Sequence, residues 1–356
     1  MLRIHSDFTG GNITVIDVTG DVVFLENQLR DTQEDWFYWA FCVENAQGRT
    51  LTFRMQQNRV GYFGPAVSHD LISWHWADSA DGESFTYTFG AHEDKVYFAH
   101  DMLYHPAHFE AFAAQHGLTV AELCKGHKSK GRSVPCVTVG SGSRHVLLTA
   151  RHHACESTGN YVLEGVLSYL IAHPLPDTTV FCVPFVDYDG VIDGDQGKSR
   201  APYDHNRDYG ADVNSIYPEC AAIRAYAEAH GCVYGFDFHS PWHLGNENDK
   251  VFVVQKNPPK LPALDRFGEL FEQECKAHPE ALQYRHADDY PPDTGWNVGK
   301  TQCGALMTYR PENLLAFTLE TAYFGTESNK VSAERMRAMG QCFARALHAF
   351  AKEHDA

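Results

Sequence analysis

The feature that most constrains this chain is a set of four apolar, β-rich runs, each followed by residues able to do chemistry. The run His145 to Ala150 leads into RHHACE, which sets His153 and Glu156 three residues apart. Val233 to Phe238 leads into His239, and Leu315 to Leu319 leads into Glu320. Val180 to Val186 leads into a polar loop that carries Arg200, Asn206 and Arg207. Helical stretches alternate with these runs, from about Tyr161 to His173, Pro218 to Ala229 and Ser332 to Glu353. That alternation predicts an α/β domain, a sheet covered by helices. Ligands of open α/β sheets bind beyond the carboxyl ends of the strands, so the four run ends are expected along one edge of the sheet.

The first hundred residues have a different rhythm. Short β-rich segments recur at Ile13 to Ile16, Trp36 to Val43, Thr50 to Met55, Ser84 to Phe89 and Val96 to Ala99. Turn chemistry separates them, as in Thr9-Gly10-Gly11, Ala46-Gln47-Gly48 and Ala80-Asp81-Gly82. Strands at this spacing predict a β-sandwich. A helical stretch from Pro106 to His116 ends at Gly117. The expected domains are therefore a β-sandwich over 1–117 and the α/β domain over 118–356, in keeping with a length that exceeds one typical domain.

Composition narrows the setting. No run of eighteen apolar residues is present to span a bilayer, and MLRIHSDFTGGNITV lacks the basic and apolar parts of a secretory signal. The ten cysteines are scattered without a C-x-x-C pair, and several, such as Cys182, lie in apolar runs where a reduced, buried thiol is expected. A cytoplasmic location is the expectation. The net charge of −17 disfavours nucleic acid and anionic membranes as partners, since the summed field repels polyanions.

Two histidines and a carboxylate suit an open zinc site whose fourth position is left for water, although Co²⁺, Ni²⁺ or Mn²⁺ could take the same ligands. A further carboxylate that is not a ligand can act as general base, and Glu320 suits that work. An arginine near the metal would stabilise a developing oxyanion, and a second arginine with an asparagine would grip a carboxylate. Each piece also has an ordinary reading. H-x-x-E occurs often by chance; His239 could be a structural histidine; Glu320 could cap a following element; Arg207 could pair with Asp204 or Asp208. The joint pattern outweighs these readings, because every residue falls at a strand end and the set completes one mechanism.

These residues resemble the zinc carboxypeptidase family, especially its cytosolic carboxypeptidase-like branch, over about Arg132 to Gly325. The resemblance is carried by His153-Ala154-Cys155-Glu156, by Asp204-His205-Asn206-Arg207, by Asp237-Phe238-His239-Ser240 and by Phe317-Thr318-Leu319-Glu320. The loop from Pro184 to Val191 also looks like the family's Pro-x-x-x-x-Asp-Gly-Val. Trp36 to Phe41 and His92 to Ala99 look like the β-sandwich that precedes the catalytic domain in that branch. The resemblance implies a carboxypeptidase-like mixed sheet and one Zn²⁺ per chain held by His153, Glu156 and His239. Glu320 is then the base, and Asn206 and Arg207 are the clamp for the substrate's terminal carboxylate. Arg200 is the choice for the oxyanion, with Lys198 its rival, because the branch usually places this basic residue a little farther ahead of the Asn-Arg pair. The family's substrate-contacting tyrosine has two candidates, Tyr290 and Tyr309, and His152 is expected to be structural.

The expected activity is hydrolysis of the C-terminal amide bond of a peptide or peptide-like substrate, by a metal-activated water with a Glu base. The alternative is an N-acyl amino acid deacylase of the aspartoacylase and succinylglutamate desuccinylase type, against which the position of the β-sandwich counts. A non-catalytic relative would have lost a ligand or the base, and this chain retains all four residues.

Overall fold

The computed structural model describes residues 1–78, 81–211, 214–241, 245 and 249–354. Nine strands come first: β1 Arg3–His5, β2 Thr14–Thr19, β3 Val22–Glu26, β4 Ala40–Glu44, β5 Thr50–Met55, β6 Ala66–Ser68, β7 His75–Trp76, β8 Ser84–Thr88 and β9 Lys95–Ala99. They form a five-stranded sheet in the order β1-β4-β9-β6-β7 and a four-stranded sheet in the order β2-β3-β5-β8. Alternation along the strands turns Phe41 and Phe98 of one sheet toward Phe53 and Phe85 of the other, with the Phe41 and Phe53 ring centroids 5.3 Å apart. Each such ring, taken out of water, contributes about 1.5–3 kcal/mol. The first nine strands are thus a sandwich.

After α1 (Pro106–Gln115) come β10 (Ala121–Lys125), β11 (Ser133–Gly140), β12 (Arg144–Ala150), α2 (Thr158–Ala172), β13 (Thr178–Val183), α3 (Tyr188–Asp193), α4 (Pro218–His230), β14 (Tyr234–His239), β15 (Phe252–Val254), α5 (Leu261–Ala277), α6 (Cys303–Thr308), β16 (Leu315–Glu320) and α7 (Ala333–His354). A mixed seven-stranded sheet has the order β10-β11-β13-β12-β14-β16-β15. Its central strands β13, β12, β14 and β16 run parallel, while β10, β11 and β15 are antiparallel to their neighbours. Parallel strands covered on both faces read as near-continuous apolar runs, which is why β12, β14 and β16 stood out in the sequence. Val146, Leu148, Phe236 and Phe317 share one core with α2, α5 and α7; Leu147 and Ala316 pack on the other face with α4 and α6. The sandwich joins the first of these cores through Phe37, Phe63 and Trp76, and the Trp76 indole donates to the Val331 carbonyl at 2.9 Å.

Some elements differ from expectation. The strand expected from Trp36 begins at Ala40, because the Tyr38 amide donates to the Gln196 side chain (2.9 Å) instead of to a neighbouring strand. α5 and β15 went unread in the sequence. The ten cysteines are free thiols, nine of them buried. Among the described residues no helix is long and apolar enough to cross a membrane.

Candidate metal centre

Three adjacent parallel strands deliver the central residues. β12 ends at Ala150, opposite Phe238 of β14, and His239 lies opposite Glu320 of β16. The loop between β12 and α2 doubles back through Arg151, whose φ of 61° is left-handed, and this turn aims His153 and Glu156 at the same strand ends. Buried Arg151 braces the loop, donating to the Ser157 hydroxyl at 2.8 Å and the Ala154 carbonyl at 2.5 Å.

His153 Nδ1 lies 2.9 Å from Glu156 Oε1, and His239 Nδ1 lies 2.8 Å from Glu156 Oε2. Each of the three side chains offers a ligand atom, all within 4.8 Å of one another. The opposite ring nitrogens face carboxylates: His239 Nε2 is 2.7 Å from Asp237 Oδ2, and His153 Nε2 is 3.6 Å from Asp204 Oδ1. A carboxylate behind an imidazole keeps the proton on the far nitrogen and the near lone pair free, the usual support of a metal-ligating histidine. Asp237 is itself fixed by the Thr149 hydroxyl and by His152 Nδ1, both at 2.8 Å, and His152 Nε2 lies 2.7 Å from the Tyr209 hydroxyl. Burial alone would raise the Glu156 carboxyl, but His153, Lys198 and His239 outweigh it and hold the group well below the usual range. Burial likewise opposes a charge on His239, yet Asp237 and Glu156 hold its imidazolium well above the ordinary value. A buried carboxylate ringed by positive charge and two imidazoles is the donor set of a divalent transition metal. These residues fit Zn²⁺.

Glu320 borders the same spot. Its Oε2 has no hydrogen-bond partner among the described residues, and burial pushes its carboxyl up to about 7 although His239 opposes that shift. Asn206 accepts the Cys303 amide on Oδ1 at 3.0 Å and brings Nδ2 to 3.4 Å from His239. Arg207 lines the cleft and pairs with no carboxylate among the described residues. Its Nη1 donates to the Asn206 carbonyl at 3.1 Å.

Arg200 does not join this group. Its guanidinium is held by Asp31 (3.1 Å), Asp187 (2.8 Å) and Asp195 (2.9 Å), on the far side of the loop from the cleft. Lys198 stands there instead, with Nζ 2.6 Å from Glu156 Oε1 and 4.5 Å over the Trp36 ring. The three acidic neighbours fix Arg200, and no spacing rule in the sequence could report them. Tyr290 lines the cleft, stacked on Trp296 with centroids 4.9 Å apart, whereas Tyr309 is exposed outside it beneath Lys300.

The cleft encloses about 750 Å³ and runs from His153 and Glu156 to a wall built by β15. Lys250, Phe252, Val254 and Lys256 all line it, the period-two face of one strand and its flanks. Lys250 pairs with Asp288 at 3.3 Å. Lys256 is 8% exposed, and among the described residues its ammonium donates only to the Gly299 carbonyl, at 3.5 Å. Burial, and then Arg207, push its ammonium down to about 8.

No protein-family model matches the chain. Among curated proteins, an uncharacterized protein of Zymomonas mobilis is 28% identical over 258 residues, covering 67% of each chain. Cytosolic carboxypeptidase 2 of Danio rerio is 31% identical over 246 residues, covering 62% of this chain and 33% of that protein, so the match spans about a third of this relative's length. Among solved structures, a metallo-carboxypeptidase from Burkholderia cenocepacia superposes with a TM-score of 0.81 at 20% identity, over 99% of this chain and 100% of that one. A metallo-carboxypeptidase from Pseudomonas aeruginosa gives 0.80 at 20% identity, over 99% of both. At that identity the structural likeness concerns the fold. The chain thus shares the fold of these metallo-carboxypeptidases and carries a donor set able to hold a metal at the ends of its central strands. In sequence the chain is similar to cytosolic carboxypeptidase 2 over part of its length.

Proposed function

We propose that the chain is a zinc-dependent metallocarboxypeptidase that hydrolyses the C-terminal amide bond of a peptide or peptide-like substrate. The observation that carries this reading is the convergence of two imidazole Nδ1 atoms on the single buried carboxylate of Glu156, beside an unpartnered Glu320 Oε2 and in one cleft with Arg207. We assign residues 1–117 to a sandwich domain and 118–356 to the catalytic domain.

His153, Glu156 and His239 would hold one Zn²⁺ at this centre. Bound there, the ion supplies an electrophile for the scissile carbonyl and lowers the pKa of an adjacent water. Arg207, with Asn206 Nδ2, grips the terminal carboxylate through charge-assisted hydrogen bonds and sets the amide in register. Glu320 takes the proton of the attacking water and passes it to the leaving amine. A carboxyl raised toward neutrality by burial can do both, and a nearby divalent charge would draw it back down. Lys198 stabilises the oxygen on which negative charge develops, the role its loop position supports better than Arg200's. The wall bearing Lys250 and Lys256 supports a preference for an acidic C-terminal side chain.

The test uses peptides with free and amidated C-termini, beside a panel of N-acyl amino acids. Free C-termini are cleaved, amidated ones are not, and Glu320→Gln lowers kcat by about 10²–10⁴ with zinc content intact. Full turnover by Glu320→Gln refutes the mechanism. Cleavage of N-acyl amino acids alone replaces the peptidase with a deacylase.

A further inference from the structure

Behind the proposed carboxylate clamp lies a second cluster of metal-type donors, separate from the centre above. His127 lies in the turn between β10 and β11, His205 in the 3-10 turn His205–Arg207, and Glu219 in the first turn of α4. Their ligand atoms all fall within 4.8 Å of one another. His127 Nδ1 is 3.3 Å from Glu219 Oε1, and His205 Nε2 is 3.8 Å from Glu219 Oε2. A fourth donor, Asp187 Oδ1, is 3.8 Å from His127 Nδ1 and 4.0 Å from His205 Nε2. Bonds of about 2.0–2.1 Å in a tetrahedral site separate donors by roughly 3.3 Å, so this spacing leaves room for an ion. At the catalytic centre, by contrast, imidazole and carboxylate approach to 2.8–2.9 Å.

Charge and hydrogen bonding both call for a cation here. Glu219 and Asp187 are fully buried, and no lysine or arginine pairs with Glu219 among the described residues. Arg200 contacts Asp187 but is shared with Asp31 and Asp195. An ion pair between His127 and Glu219 Oε1 would leave two buried atoms facing each other. These are His205 Nε2 and Glu219 Oε2, neither of which has a hydrogen-bond partner among the described residues. Unpaired buried polar groups are costly, and a divalent ion meets both at once.

We propose that His127, His205 and Glu219, with Asp187 beside them, bind a second divalent transition metal of the Zn²⁺ type with a structural role. It ties the β10–β11 turn and the start of α4 to the turn that carries Asn206 and Arg207. Binding at His205 Nε2 moves the ring proton to Nδ1 and gives up the hydrogen bond that Arg200 Nη1 donates there at 3.2 Å. Nη1 keeps its contact with Asp187 Oδ2 at 2.8 Å. This ion is therefore held more weakly than the catalytic one and leaves first in a chelator titration. Its function as a brace for the clamp rests on the clamp reading above, but its existence does not.

The experiment is zinc elemental analysis of the full chain after saturation and removal of free metal. Wild type is expected to hold two equivalents. Glu219→Gln and His127→Gln, each checked as folded by circular dichroism, are expected to hold one, as is His153→Ala, which removes the other ion. Co²⁺ added to His153→Ala should give the visible absorption of a four-coordinate site, and Glu219→Gln in that background should abolish it. One equivalent in wild type overturns the proposal, as do two equivalents in both Glu219→Gln and His127→Gln. His127 is partly exposed, so its variant remains informative if Glu219→Gln does not fold. A KM that rises more than kcat falls in His127→Gln supports the bracing role. Unchanged kinetics with one ion lost leave the site standing and remove that role.

Discussion

Replacing Lys256 by Met tests how the cleft selects its substrate. The methionine keeps most of the length and apolar volume of the lysine and removes its charge. In the free protein the ammonium is buried, repelled by Arg207, and held near 8 rather than at its ordinary value of 10.5. A substrate carboxylate at the β15 wall would relieve that, and a hydrogen bond to a charged, desolvated group contributes about 1.5–3 kcal/mol. Through RT this is roughly a 10- to 150-fold change in kcat/KM. Lys256→Met should therefore lose about that factor on peptides ending in Glu, with little change on peptides ending in Leu, so the Glu/Leu ratio is the informative quantity. The pH dependence has a definite sign. The lysine is charged below about 8 and neutral above it, so wild-type kcat/KM on Glu-ending peptides should fall as pH rises through that value. Leu-ending peptides and the variant should lack this limb. An unchanged Glu/Leu ratio in Lys256→Met would show that the wall does not read the side chain.

Lys198→Met should lower kcat by about 10²–10³ with KM less affected, because the lost donor acts where charge develops; a KM effect alone would recast Lys198 as a binding residue. Asp237→Asn should weaken zinc affinity by about 10–100-fold, measured by competition with a chelator, since the amide cannot hold His239 as the carboxylate does. Asp249 offers a pH test of stability. It accepts the Tyr323, Phe324 and Gly325 amides just after β16, and burial raises its carboxyl to about 6 from 3.8. A carboxyl raised on folding stabilises below its unfolded pKa and loses that contribution as pH climbs through the folded value. The unfolding free energy of Asp249→Asn relative to wild type should accordingly rise between pH 4 and 7, by up to roughly 3 kcal/mol. A flat difference across that window would mean that burial does not perturb this carboxyl.

What the sequence could convey about this molecule depended on whether the information was local. His153, Glu156, His239 and Glu320 could be picked out together because each lies at or within a few residues beyond the end of an apolar run, and parallel strands place run ends at one edge of a sheet. The ladder that sets His239 opposite Glu320 turns that regularity into proximity. Asp237 was quoted only within the motif of His239, and its role shows only once His152 and Thr149 are seen around it. Asp204, which the sequence offered only as one ordinary partner for Arg207 beside Asp208, is aimed at His153. The choice between Arg200 and Lys198 depends on the same kind of information. A single residue separates Lys198 from Arg200 in a loop with no periodicity, and the choice between them is made by Asp31, Asp187, Asp195 and Trp36, two of which come from the sandwich. The β15 wall was a different failure. KVFVVQK carries a short, continuous apolar and β-branched run between two lysines, and α5 repeats apolar residues at Leu264, Phe267, Phe271 and Cys275, so both signals were present and unread. Knowing that KVFVVQK is a strand would still not have told which face meets the metal. That follows from the antiparallel pairing of Phe252 with Glu320 and Val254 with Thr318, a register fixed by the neighbouring strand. Strand-end chemistry can be read from one chain, whereas substrate selectivity is set by contacts between segments far apart in it. The β15 wall is accordingly where substitutions should change specificity without disturbing the metal centre.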